Sequence, residues 1–478
     1  MKFGALIAGM TLMMSNAMGQ QDPIARDLNG IGHTKRILDV SIDSLHHPEL
    51  GLRGAASCAG SSCHGGPRPG SSTQTALRGS EYALWKEIDP HARSWRTLAS
   101  KESEAILTKL KILSDGQIKN AAAYKNCLAC HNTNQEMTDD LLTPSIAEGV
   151  GCEMCHGPSE PWYDRHYSGA KFVLPGMTNI QPLITRAKMC TVCHVGSTDR
   201  DMNHEIVAAG HPALYFDMAV YHERYPKHWR EKDEASPDMR ARLWLAGQIA
   251  MADSELELAE ARATQSHSVS TWPELALYQC TDCHVSLNGL PRAPTSSDRQ
   301  RLISGTASVR GWNLDGIESW QRSKSNSEND DLVQKLLLLK DILQDRSDDV
   351  GDIINTTSQL RSLINEEILQ CNDLSLGDWN QRKQRQIANE LGNGVDVSRQ
   401  WESASRFYLA AWASSPRDGA KELMTSLHTM RRAVLFPPST QSPQFPRTAS
   451  STTPPNFEQW SSALNQAANL LMKEEPLR

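Results

Sequence analysis

Five short tracts carry most of the chemistry available to this sequence. Each pairs two cysteines and follows the second directly with a histidine: CAGSSCH (Cys58, Cys63, His64), CLACH (Cys127, Cys130, His131), CEMCH (Cys152, Cys155, His156), CTVCH (Cys190, Cys193, His194) and CTDCH (Cys280, Cys283, His284). Two cysteines about one helical turn apart present both sulfurs to the two vinyl groups of one porphyrin edge, and the next residue reaches the iron with its imidazole. The pattern therefore implies five covalent haem c groups, with His64, His131, His156, His194 and His284 as proximal iron ligands. Disulfides and zinc sites also use paired cysteines. Neither requires a histidine after every pair, and histidine is only 16 of 478 residues. The first tract differs in holding four residues between its cysteines, and the small Ala59-Gly60-Ser61-Ser62 stretch can loop outward to restore the sulfur spacing. Cys371 alone stands outside the pattern.

An iron that only carries electrons is held from both sides, so the second axial ligands have to come from the eleven remaining histidines. Four stand out by context: His91 in DPHARSW, His166 in PWYDRHY just after the third tract, and His204 with His211 in NHEIVAAGHP just after the fourth. His33, His46 and His47 precede the first tract and compete for any place left over.

The elements that must position these groups divide the chain in two. All five tracts lie between residues 58 and 284, so residues 20–300 are expected to form a haem-bearing domain in which porphyrins supply the core between long loops and short helices. Asp89 as N-cap with Pro90 at the first helical position marks one helix start, with His91 in its first turn. Residues 301–478 read as a haem-free helical region. Leu332, Leu336, Leu339 and Leu343 share one face, similar patterns cover 353–369, 397–413 and 420–435, and a last helix is expected near 457–472. Between these lies the Pro/Ser/Thr-rich stretch 436–455. The fold class expected is mainly α, a multihaem cytochrome c with long loops around stacked haems.

The N-terminus places the chain in a compartment. Lys2, the short apolar run from Phe3 to Met14 and the small-residue stretch ending Ala17-Met18-Gly19 read as a signal peptide, residues 1–19, cleaved near Gly19, giving a periplasmic protein. The formal net charge of -7 argues against nucleic acid and for docking to redox proteins that present a basic patch.

Taken in order, CAGSSCHGG, DPHARSW, CLACH, VGCEMCHGP, CTVCHVG, NHEIVAAGHPAL and WPELALYQCTDCH resemble the multihaem cytochromes of the cytochrome c-554 family, and RFYLAAW and LFPPSTQSPQF are similar to the C-terminal part of its larger pentahaem members. The resemblance implies a mainly helical fold with closely paired haems. By position, it implies that His166 caps the first haem and His91 the third, and that the second lacks a distal histidine. The sequence departs from the family in its widened first tract and in Val285, where relatives often carry another histidine.

These readings converge on an exported pentahaem c-type cytochrome relaying electrons between redox partners. The alternative is a multihaem oxidoreductase acting on a small nitrogen or sulfur compound at a five-coordinate haem. Association with a membrane respiratory complex through the C-terminal helices is compatible with either.

Overall fold

The computed structural model describes residues 51–67, 79–134, 148–167, 173–229, 236, 238–265, 272–283, 307–325, 330–345, 350–373, 387–388, 391, 401–415, 421–433 and 457–473. All of them belong to the unit Ser41–Arg478. The expected leader 1–19, the stretch 436–455 and His33, His46, His47, His267 and His284 lie outside the described residues.

Short helices and turns build the first half. Cys58 ends a 3-10 turn, Ala55–Cys58. Helix α1, Glu81–Ile88, stops at Asp89. That residue then starts a 3-10 helix, Pro90–Ala99, by accepting a hydrogen bond from the His91 backbone N–H at 3.0 Å. This is the N-cap read from the sequence, with 3-10 winding beyond it. Helix α2, Lys101–Lys109, is capped by Ser100. A two-stranded hairpin, β1 Leu113–Ser114 and β2 Gln117–Ile118, turns on Asp115 and Gly116, whose φ values of 53° and 70° are those of a type I′ turn. Helix α3, Ala121–His131, is capped by Asn120 and carries the second tract at its C-terminal end. Behind that tract Leu107, Ile112, Leu113, Ile118, Tyr124 and Leu128 form a local apolar core against Cys127.

The third tract is itself helix α4, Cys152–His156, and the fourth ends helix α5, Leu183–His194. Helices α6, His204–Ala209, and α7, Met218–Arg224, follow, capped by Asn203 and Asp217. Then comes α8, Met239–Gln265, 27 residues long. It is apolar around most of its circumference, as a helix enclosed by others must be: Trp244, Ile249, Met251, Leu256 and Leu258 are all at most 2% exposed. One side of α8 packs on α5, where Ser254 Oγ donates to Thr191 Oγ1 at 2.8 Å and Lys188 pairs with Asp253 at 2.7 Å. Cys280 and Cys283 of the fifth tract bound the one-turn helix α9, Cys280–Cys283.

The C-terminal helices α10, Asp315–Ser325, α11, Asp331–Asp345, α12, Val350–Asp373, α13, Trp401–Ser414, α14, Lys421–Ala433, and α15, Phe457–Lys473, close against the other side of α8 and against each other. Leu332, Leu336, Leu339 and Leu343 are all buried, so the four-three-four spacing is the inward face of α11. Arg361 of α12 clamps three carboxylates of α8, Asp253, Glu257 and Glu260, at 3.2–3.3 Å. Among the described residues no helix is long and apolar enough to cross a membrane.

Candidate haem-binding site

The site is a cavity of about 1460 Å³ lined by all eight cysteines of the first four tracts. That exceeds the about 300–1,000 Å³ of a single small-molecule pocket. Four pairs of histidine rings face one another across it. His64 and His166 have ring centroids 6.2 Å apart, His131 and His211 6.3 Å, His156 and His228 6.1 Å, and His91 and His194 6.3 Å. With metal–nitrogen bonds of about 2.0–2.1 Å and about 1.1 Å from nitrogen to ring centre, two imidazoles on opposite sides of one metal have centroids about 6.2–6.4 Å apart. The four pairs match that separation, so the donor set fits irons held between two histidines.

The hydrogen bonds select which ring nitrogen is left for the metal. Nδ1 is engaged in His64 by Glu81 Oε2 at 3.1 Å, in His91 by Asp89 Oδ1 at 2.9 Å, in His166 by the Tyr163 carbonyl at 2.7 Å and in His211 by the Pro212 carbonyl at 2.9 Å. In His131 it meets both the Ser94 carbonyl at 3.0 Å and Thr97 Oγ1 at 2.9 Å. An acceptor at Nδ1 fixes the tautomer, orients the ring and leaves Nε2 free as the ligand. Ligation needs a neutral imidazole, and burial supplies it: the His156 ring is pushed down to about 4 and that of His194 to about 3. Burial also lowers His131, His211 and His228. His91 goes the other way because the Asp89 carboxylate outweighs burial, which makes it the more basic donor.

Two further observations agree with haem. The indole Nε1 atoms of Trp162 and Trp229 are buried, lack a protein partner, and belong to residues lining the cavity, so each has a hydrogen bond to give to an acceptor such as a porphyrin carboxylate. The first tract loops as its small residues require: Gly60, Ser61 and Ser62 are exposed, and the loop closes through Cys63 N–H to the Gly60 carbonyl at 2.8 Å and His64 N–H to that of Cys58 at 3.3 Å. Gly65 follows because a Cβ there would lie 1.9 Å from the Ala59 carbonyl oxygen.

The attachment cysteines also order the tracts in space. The Cys58 side chain neighbours that of Cys152, and that of Cys130 neighbours Cys193. Met189 and Val192 of α5 pack between Cys155 and Cys193. Neighbouring tracts thus run first, third, fourth, second. Cys280 stands apart from the cavity lining, within electrostatic reach of Tyr215, Arg310 and Glu402. The next residue, Phe216, stacks on His194 at 5.2 Å.

The structure places three of the four expected distal histidines opposite a proximal one, two of them in pairings other than the resemblance implied. His166 faces His64. His91 faces His194 of the fourth tract where the resemblance implied the third, although its backbone carbonyl accepts from the Val150 N–H just before α4 at 2.9 Å. The second tract, expected to lack a partner, has His211 opposite His131: the chain turns at Gly210, φ 122°, directly after α6, and Lys109 Nζ of α2 fastens the Ala209 carbonyl at 2.9 Å. His204 is in none of the four pairs. Its backbone N–H donates to Glu274 Oε1 at 2.8 Å, on the segment that leads into Cys280. His228, opposite His156, was not singled out from the sequence. Its signal was Tyr225-Pro226, which ends α7 and turns the chain back toward the cavity.

Two buried carboxylates join the first tract to the third. Glu153 accepts from the backbone N–H groups of Arg53 at 3.0 Å, Gly54 at 2.7 Å and Ser159 at 2.8 Å, and Glu148 accepts from that of Ala55 at 2.6 Å. Burial, reinforced by the Glu153 charge, pushes the Glu148 carboxyl up from 4.5 to about 7. The folded protein then keeps a proton that the unfolded chain has released. The associated stability is present below about pH 4.5 and is lost as the pH rises through about 7. The melting midpoint of the haem-loaded protein is expected to fall by roughly 5 °C between about pH 5 and pH 8, and Glu148→Gln to remove most of that fall. An unchanged profile in the variant would assign the proton elsewhere.

No curated protein and no solved structure gives a significant match to the chain. Residues 57–157, which span the first two tracts, the Asp89 cap and the third tract, match the family described as cytochrome c554 and c-prime.

Proposed function

We propose that this chain is an exported pentahaem c-type cytochrome that relays electrons between redox proteins. The observation that carries the reading is the set of four opposed histidine pairs: an iron held on both sides by imidazole has no open position for a substrate. Bound haem c supplies reversible one-electron chemistry. The protein's own task is to hold ligands and exclude water, and its residues are built for that. Glu81, Asp89, Tyr163, Pro212 and the Ser94–Thr97 turn fix the imidazoles, while the chain of neighbouring attachment cysteines sets the tracts close together. For the fifth iron, His204 is the candidate distal ligand, since Glu274 holds its main chain beside the approach to Cys280. The short apolar N-terminal run supports export and cleavage near Gly19.

Two measurements on the purified mature protein test this reading. Its denatured mass should exceed that of the polypeptide from residue 20 by five haems, and electron paramagnetic resonance of the oxidised protein should show at least four low-spin irons. A mass for four haems would remove one tract, the widened Cys58–Cys63 one first. Sustained turnover of nitrite, hydroxylamine or sulfite on the order of 10 per second, an ordinary enzymatic rate, would overturn the carrier reading in favour of an oxidoreductase acting at the fifth iron.

A further inference from the structure

The tract order first, third, fourth, second has two ends, and the surfaces at the two ends differ. At the second-tract end, the layer from Pro90 to His131 encloses the site: Ser94 and Thr97 bond His131, Leu98, Ile106 and Leu110 line the cavity, and Lys109 reaches over to the segment carrying His211. Among the described residues of this layer seven cations are exposed, Arg93, Arg96, Lys101, Lys111 and Lys125 among them, against three anions, Glu102, Glu104 and Asp115. This excess of positive charge sits on a protein whose net charge is -7. At the first-tract end the exposed charges balance, Arg53, Lys86 and Arg165 against Glu87, Glu160 and Asp164, and Tyr167 beside His166 is 77% exposed.

We propose that the Pro90–His131 layer is the docking surface for an acidic redox protein, which exchanges electrons at the second tract. The inference rests on the carrier reading. Its support is local charge complementarity, since fields act over about a Debye length and a partner senses the patch it approaches more than the distant net charge. The Thr97 side chain, exposed and bonded to His131, makes this a short route to a ligand. Docking changes no bond: one electron leaves the partner and enters the chain, or the reverse.

The test uses reduced flavodoxin, an acidic electron-transfer protein, as the probe in stopped-flow reduction of the oxidised cytochrome. If the net charge governed, two acidic proteins would repel and the rate would rise with salt. The patch requires the opposite, a wild-type rate that falls about tenfold between about 10 mM and 500 mM salt. Arg93→Glu/Arg96→Glu/Lys101→Glu should slow the low-salt reaction about tenfold, and Lys86→Glu/Arg165→Glu should leave it within about twofold. A wild-type rate that rises with salt, or equal losses in both variants, would overturn the surface. Neither variant touches a proposed ligand. Low-spin irons counted in the same samples therefore separate the two readings: normal spectra with an unaltered rate sink the docking surface alone, and missing low-spin irons in the wild type sink the carrier reading.

Discussion

His228→Ala is expected to turn one iron from low-spin to high-spin, removing roughly a fifth to a quarter of the low-spin signal if four or five irons are low-spin in the parent. His91→Ala, His166→Ala and His211→Ala should each remove a comparable share from a different iron. The argument is geometric. Each of these rings lies 6.1–6.3 Å from one proximal ring, and no proximal ring is shared. The losses should therefore add in double variants, as they would for independent sites. His222→Ala supplies the contrast. His222 is also buried and lines the cavity, but its Nε2 already accepts from the Arg186 guanidinium at 2.9 Å, so its removal should leave the spin count intact. Because a two-sided ligand also ties separate segments together, His228→Ala should lower the thermal midpoint as well, freeing the turn after α7 from α4. Optical and paramagnetic spectra of the four single variants decide the matter. A variant that keeps every low-spin iron would show that its histidine is merely packed near the cavity.

The five tracts stand out in the sequence because covalent attachment is a local requirement: cysteine spacing and the adjacent histidine are encoded within a few residues. The Leu332–Leu343 face and the Asp89 cap were legible for the same reason, since helix periodicity and capping are properties of neighbouring residues. The pairing of distal with proximal histidines is a tertiary property, and there the ring pairs differ in part from what the resemblance implied. His91 was placed by resemblance opposite the third tract. Its ring is held through Nδ1 by Asp89 Oδ1 at 2.9 Å and lies 6.3 Å from that of His194. His211 is flanked by Gly210 and Pro212, residues that shape a turn. That turn is what aims the ring at His131. His228 stands in YPKHW, far from any tract in sequence, and only the reversal at Pro226 brings it across from His156. The Asp115-Gly116 hairpin had a local signal, the dipeptide itself, which the scarcity of alternating strands nearby concealed.

Glu153 is the residue whose importance the sequence concealed most. It occupies a position between the cysteines of CEMCH that attachment chemistry leaves free, yet it is 2% exposed and its carboxylate accepts three backbone N–H groups. Two of those donors, Arg53 and Gly54, belong to the strand of chain entering the first tract, so this one side chain fixes that segment against α4. Three amide donors converge on its two carboxylate oxygens, which satisfies the buried acceptor. Glu153→Ala leaves three amides without an acceptor where water has poor access. At about 1–3 kcal/mol for each unsatisfied group, the loss should reach about 3 kcal/mol or more. Glu153→Gln keeps one oxygen and turns an NH₂ toward amides that also donate, so its cost should be smaller and still measurable. The specific signature is at the junction of the first and third tracts. The contact of Cys58 with Cys152 depends on the segment that Glu153 anchors, so the exchange signal between their two haems should weaken in the alanine variant while that of the second and fourth persists. A thermal midpoint and haem–haem coupling equal to wild type in Glu153→Ala would show that the first tract is held by its histidines and Glu148 alone.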